Sequence, residues 1–106
     1  MGLKEVQAAI SSVGLPSVHM AWEKGMAPDL PWCVFYLEDT DGVFADNKFA
    51  AQSNRWVIEL YQKQSDPSIE EALEQSIVSS FTPFSKSEAW VSDENCIQTT
   101  YYFKEL

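Results

Sequence analysis

The part of the chain that most constrains the fold is the stretch 53–73, because the spacing of its apolar residues changes midway. In the first half, Trp56, Ile58 and Leu60 alternate with more polar neighbours, which is the period of a β-strand with one apolar face. In the second half, the apolar residues recur at helical spacing. They are Ile69, Ala72, Leu73 and Ile77.

The residues between these two patterns predict how the helix begins. Asp66 is a favourable N-cap, and Pro67 suits the first helical position because its missing N–H would be unpaired there in any case. Glu70 and Glu71 follow at the positive end of the helix. We therefore expect a strand that leads into a helix through a tight connection, with the helix lying on a sheet.

The rest of the chain predicts one more helix and several strands. Apolar residues at helical spacing begin at Leu3, and Gly14 is expected to cap that helix. Strands are expected at 17–22, 32–38, 84–91 and 96–104, and the acidic segment 38–47 is expected to be a long hairpin loop. The sequence thus predicts a single α+β domain over 1–106. Its sheet would be mostly antiparallel, with four to five strands and two helices on one face, in the order α-β-β-β-α-β-β.

Length and charge limit the classes of function. The 106 residues are enough for one domain, and 45% are hydrophobic. The formal charge of −9 argues against nucleic acid as a specific ligand, since phosphate binding needs a basic patch. The sequence contains neither an apolar run of membrane-spanning length nor a signal-peptide pattern, so we expect a soluble protein made in the cytoplasm.

No motif for catalysis, cofactor binding or metal binding is found. His19 is the single histidine, and Cys33 and Cys96 lie in apolar strand patterns, which favours two buried, reduced thiols over a disulfide. The acidic segment weakly resembles a calcium loop around Gly42, but the sixth residue after this glycine is Lys48 where a glutamate is required. We therefore expect no enzyme activity and no cofactor.

Two groups of residues are candidates for an interface. Four strand aromatics are expected on the sheet face that the helices leave open, where they form either core or a protein contact. They are Trp32, Tyr36, Tyr61 and Tyr102. Four carboxylates of the expected loop either contact a partner or remain solvated. They are Glu38, Asp39, Asp41 and Asp46.

From about Leu15 onward, the chain contains a set of short segments in a characteristic order. They are Pro31-Trp32 with Val34 and Tyr36, Ala45-Asp46-Asn47, the strand 56–61, Asp66-Pro67, Trp90, and Tyr101-Tyr102-Phe103. In this pattern the chain resembles tail-completion or tail-terminator proteins from the head–tail gene cluster of long-tailed phages and prophages. This is an overall pattern without a catalytic signature.

The resemblance implies a structural role in virion assembly. Similar proteins form a ring, commonly of six subunits, at the head-proximal end of the tail. They end growth of the tail tube and join the tail to the head. The implied partners are copies of the chain itself, the tail tube protein and head–tail connector proteins. The implied location is the host cytoplasm during assembly and then the virion, and the isolated chain is compatible with a monomer in solution.

Two other classes of protein stay open at this stage. One is a small acidic inhibitor or immunity-type protein that binds a basic partner through its carboxylates. The other is a small enzyme that uses Cys33 or Cys96, which alkylation without loss of function would exclude. The acidic segment likewise has two roles under the ring hypothesis. It either lines a lumen through which DNA passes or contacts the neighbouring subunit.

Overall fold

A computed structural model describes residues 2–45, 48–81 and 83–104, with the backbone alone described at 41–45 and 48–53. The elements follow the order α1, β1, β2, β3, α2, β4, β5. Their bounds are α1 Leu3–Ser11, β1 Ser17–His19, β2 Trp32–Ala45, β3 Lys48–Gln62, α2 Pro67–Ser80, β4 Ser85–Val91 and β5 Cys96–Lys104.

The strands form one five-stranded sheet in the order β1-β2-β3-β5-β4. The pairs β2–β3, β3–β5 and β4–β5 are antiparallel, whereas β1 pairs with β2 in parallel. The predicted α+β class with two helices and a mostly antiparallel sheet is confirmed, although the parallel pair β1–β2 makes the sheet mixed. The reason is the connection 20–31, which is long enough to carry the chain back so that β2 starts beside the start of β1.

The prediction of a long acidic loop at 38–47 is wrong for the part that the structure describes. Residues 38–45 belong to β2, and Thr40, Asp41 and Gly42 pair with residues 54, 53 and 52 of β3. A register shift between Leu37 and Asp39 changes which residues share a face. Backbone pairing holds the strand together irrespective of side-chain polarity, so the acidic composition was a poor guide. Asp46 and residue 47 lie outside the described residues.

Both helices cover one face of the sheet, and the core lies between the helices and this face. Trp56, Ile58 and Leu60 of β3 point into this core and are at most 3% exposed, as the alternation predicted. The helices also contact each other, where the Ser76 hydroxyl donates to the Ala9 carbonyl at 2.7 Å. Within the described residues, the opposite face of the sheet carries no helix.

The helices differ in detail from the predictions. In α2, Leu73 is buried but Ala72 is exposed, because Glu70 and Ile77 complete the face that meets the sheet. Helix α1 ends at Ser11 with residue 12 as its C-cap. Gly14 therefore lies two residues beyond the cap, where its φ of 83° suits a residue without a Cβ.

The predicted start of α2 is confirmed. The Asp66 carboxylate accepts hydrogen bonds from the backbone N–H of Ser68 at 3.0 Å and from its hydroxyl at 2.7 Å, and Pro67 follows as the first helical residue. The Gln62 side chain at the end of β3 accepts from the Asp66 N–H at 3.0 Å. These bonds tie the helix to the strand that precedes it.

Replacing Asp66 with alanine should lower the thermal midpoint by about 5 °C, the shift expected for loss of one N-cap in a small domain. The reason is that the first helical N–H groups lose their acceptor. Thermal unfolding followed by circular dichroism measures this effect. Asp29→Ala, at an exposed loop position, is the matched control and should leave the midpoint unchanged. Equal midpoints for the two variants would contradict the capping role.

Candidate functional site

The open face of the sheet, opposite the helices, brings the four predicted aromatic residues together. Trp32 pairs across the sheet with Tyr61, and Tyr36 and Tyr102 both pair with Val57. All therefore project from the same face, as the alternation predicted. Whether they contact a partner is not decided by this placement, so their interface role stays a prediction.

The side chains at the centre of this face are buried, whereas the aromatic rings around them are partly exposed. Val34 and Val57 are 5% and 1% exposed, because larger neighbours cover them. Tyr36 and Tyr61 are half-buried, and Tyr102 is 41% exposed. Partly exposed aromatic rings beside buried, well-packed side chains are typical of surfaces that exclude water when a partner binds.

A hydrogen-bond network crosses the open face and centres on Glu59. Its carboxylate accepts from the Tyr36 hydroxyl at 2.9 Å and from the Tyr61 hydroxyl at 2.9 Å, one on each oxygen. The Gln98 amide donates to the Tyr61 hydroxyl oxygen at 2.7 Å. Glu59 and Gln98 were not among the candidate residues predicted from the sequence. The strand period placed Glu59 on the same face as Tyr61 and Gln98 on the same face as Tyr102, but side-chain partners on different strands can be assigned only from the register.

The tyrosines of this network are held in the protonated form. Burial, followed by the hydrogen bond to Glu59, raises the pKa of Tyr61 to about 12. The same two causes, in the same order, raise the pKa of Tyr36 above its ordinary value. Both hydroxyls therefore remain donors at neutral pH, and they hold the Glu59 carboxylate in one orientation.

The connection between β1 and β2 folds over one end of the open face. The Trp22 and Trp32 rings lie 5.8 Å apart at 76°, and the Trp32 and Tyr61 rings lie 4.6 Å apart. Between this connection and the sheet lies a cavity of about 410 Å³, which Glu59 also lines. The rings and the carboxylate thus form one continuous site.

The other end of the open face carries an ion pair. The Arg55 guanidinium donates through two nitrogens to the two oxygens of Asp39. The hydrogen bond from Arg55, together with the nearby positive charges, holds the pKa of Asp39 below its usual value. Glu38 lines a neighbouring groove with Tyr102 and Lys104. Of the four predicted carboxylates, Glu38 and Asp39 thus lie near this end of the face.

The side chains of the other two predicted carboxylates lie outside the part of the chain that the structure describes. The backbone of Asp41 pairs with residue 53, but its side chain is not described. Asp46 lies outside the described residues. The structure therefore places two of the four carboxylates beside the aromatic residues and leaves the predicted role of the other two untested.

The residues considered for chemistry are one exposed histidine and two buried cysteines. His19 is exposed, with its ring 5.8 Å from that of Phe35. Both cysteines are free and buried, as predicted. Burial raises the pKa of Cys33 to about 12, and burial, aided by the charge of Glu94, raises the pKa of Cys96. Across 2–45, 48–81 and 83–104, no group of three or more His, Cys, Asp or Glu residues is arranged to hold a metal ion.

A scan against protein-family models and a search of curated proteins found no match to this chain. No helix in the described ranges is both long and apolar enough to cross a membrane. The function is therefore inferred from the residues and from the geometry of the open face and its surroundings.

Proposed function

We propose that this chain is a non-enzymatic structural protein of a long-tailed phage or prophage, which assembles as a ring at the head-proximal end of the tail. The ring ends growth of the tail tube and joins the tail to the head. Its partners are further copies of the chain, the tail tube protein and head–tail connector proteins. The proposal rests on the resemblance of the sequence pattern and on one structural feature.

That feature is an arm made of the strand segments 41–45 and 48–53. They pair with each other beyond Arg55↔Lys104, the last described pair between β3 and β5. The molecule is correspondingly elongated, at 51 × 28 × 23 Å. A two-stranded ribbon is only marginally stable in water by itself. A partner that covers or extends this arm would stabilise it.

A ring requires each subunit to offer two different surfaces, one to each neighbour. The arm and the open face are two such surfaces on one chain, and they are formed by different parts of the sheet. In this arrangement the arm of one subunit reaches the aromatic face of the next. Half-buried Tyr36 and the more exposed Tyr102 supply the apolar area for that contact.

The net negative charge of the chain would favour passage of DNA through such a ring. Carboxylates on an inner wall repel phosphates, whereas basic residues would bind them and hold the polymer. The net charge of −9, repeated in every subunit, supplies this repulsion. Asp39 contributes less to this repulsion than a carboxylate without a cationic partner, because the Arg55 guanidinium neutralises its charge. Glu38, which is exposed, is the better candidate for the lumen.

Removing the arm tests the proposal. Residues 41–53 are replaced by Asn-Gly, which joins the directly paired Thr40 and Asn54 through a two-residue hairpin turn. We expect the shortened chain to fold but to lose ring formation and the ability to stop tube growth. The measurements are electron microscopy of tubes grown from tail tube protein with each variant, and light scattering for the size of the assembly.

The matched control shortens the other hairpin. Residues 92–95 are replaced by Asn-Gly between Val91 and Cys96, which are also a directly paired couple. This control should cap tubes normally. Normal capping by the arm-deleted chain would contradict the role of the arm. A wild-type chain that leaves tube length unchanged would contradict the proposed function itself.

A further inference from the structure

The cavity beneath the connection 20–31 has a composition that suits a cationic ligand. It is lined by three aromatic rings and three carboxylates, those of Trp22, Trp32, Tyr61, Glu23, Glu59 and Glu94. We propose that it binds the guanidinium group of an arginine side chain presented by a protein partner. This site lies at one end of the open face and shares Tyr36 with the proposed ring contact, but its binding is measured on the isolated chain.

The rings suit the planar face of a guanidinium. Trp22 meets Trp32 edge to face at 5.8 Å, and Trp32 packs against Tyr61 at 4.6 Å and 34°, so the three rings form one aromatic cluster, and all three line the cavity. Cations bind to the electron-rich faces of tryptophan and tyrosine. Arginine favours such sites because its guanidinium stacks on aromatic rings while its edge still donates hydrogen bonds.

Glu59 is the carboxylate best prepared to receive that edge. The hydroxyls of Tyr36 and Tyr61 each donate to one of its oxygens at 2.9 Å, and Gln98 fixes Tyr61 in turn. Each carboxylate oxygen accepts more than one hydrogen bond, so both retain capacity for a ligand. Because the tyrosines already hold the carboxylate in place, little side-chain freedom is lost on binding.

The charge around the cavity selects a cation over an anion. Glu23 and Glu94 are exposed and add to the charge of Glu59, and Lys24 is the single basic residue among those that line the cavity. The excess of negative charge attracts a guanidinium and repels a phosphate or a carboxylate. An arginine of a basic partner surface therefore fits the site better than a neutral or acidic side chain.

The loop itself offers one further donor. The Trp22 indole N–H is buried and has no hydrogen-bond acceptor within the described part of the chain. A buried donor without an acceptor is unfavourable. A partner that presents an arginine within a peptide would bring backbone carbonyls, which could accept from this donor.

The test is a titration of the full chain with N-acetyl-arginine methylamide, followed by the NMR signals of the tryptophan indole N–H groups. The citrulline analogue has nearly the same shape without the charge. We expect the arginine compound to bind about tenfold more tightly than the citrulline compound and than the lysine compound. We also expect the Trp22 signal to shift on binding.

Two variants locate the site. Glu59→Gln keeps the shape of the side chain and one of its two oxygen acceptors, and should weaken binding about tenfold, a change of about 1.4 kcal/mol. Glu23→Gln, in an exposed part of the loop, should weaken it less and serves if Glu59→Gln lowers the unfolding midpoint. Glu88→Gln on β4 removes the same charge outside the cavity and should bind like the wild type.

Equal affinity for the arginine and citrulline compounds would overturn the proposal, as would unchanged binding by both Glu59→Gln and Glu23→Gln. Tighter binding of the lysine compound would overturn the assignment to a guanidinium. These results are independent of tube capping. If the arm-deleted chain caps tubes normally and the arginine compound binds as expected, only the proposed role of the arm is contradicted. If tube capping depends on the arm but the arginine compound does not bind, only the arginine site is contradicted.

Discussion

Replacing Lys86 with methionine is expected to lower the free energy of unfolding by about 2 kcal/mol at neutral pH. The Lys86 Nζ lies 2.9 Å from Glu70 Oε1 and 2.7 Å from Glu74 Oε2. Glu70 is only 6% exposed, so the substitution leaves a buried carboxylate without its cation. Breaking a fully buried pair costs about 3–5 kcal/mol. We expect less because the Lys86 side chain is 35% exposed and water screens the interaction.

The effect should depend on pH. Burial works to raise the pKa of Glu70, but hydrogen bonds from Lys86, Ser65 and Gln62 and the Lys86 charge outweigh it, so this pKa lies below its ordinary 4.5. Stability from Glu70 is therefore present above pH 4.5 and is lost as the pH falls through the lowered folded-state value.

Lys86 determines how the stability contributed by this ion pair is lost at high pH. Its hydrogen bond to Glu74 is the largest cause that raises the pKa of Lys86 above its ordinary 10.5, although burial opposes this shift. Stability from Lys86 is present below pH 10.5 and is lost as the pH rises through the raised folded-state value. The difference between wild type and Lys86→Met should thus be largest at neutral pH and should shrink at both extremes.

Urea unfolding followed by tryptophan fluorescence at pH 7 and pH 3 measures this difference. Lys63→Met is the control, because Lys63 is exposed and takes part in no described ion pair. Equal effects of the two substitutions at pH 7 would show that the pair contributes nothing to stability. An effect of Lys86→Met that is as large at pH 3 as at pH 7 would show that the carboxylates are not its cause.

Replacing Leu73 with alanine should lower the free energy of unfolding by about 3 kcal/mol, within the usual range for a buried leucine. Leu73 is fully buried in the core that joins α2 to the sheet. The substitution reduces the apolar surface that is buried in the core. It also leaves a cavity, because the helix and the sheet cannot move far enough to fill the space. Denaturant unfolding of the purified variant measures the change.

Val78 provides the control on the same helix. It is 51% exposed, so Val78→Ala removes little buried surface and should lower the free energy of unfolding by well under 1 kcal/mol. If both substitutions have similar effects, α2 does not present the Leu73 face to the sheet. The pair of variants therefore tests the orientation of the helix as well as its packing.

Local signals in the sequence determined much of the framework. Asp66 and Pro67 marked the start of α2 because capping involves neighbours in the chain. The alternation of Ile58 with Glu59 identified both faces of β3, since successive side chains of a strand point to opposite sides. The apolar neighbours of Cys33 likewise predicted its burial. Each of these features depends on residues within a few positions of one another.

The tertiary structure alone decided the features that join distant segments. The acidic residues Glu38, Asp39 and Asp41 belong to β2 because residues 48–55 pair with this part of the strand, which composition does not reveal. Glu59 becomes the centre of a network only once the register brings Tyr36 beside it. Lys86 and Glu70 meet because α2 lies across the sheet. Such contacts depend on strand register and helix placement, and these are set by packing of the whole chain rather than by any local pattern.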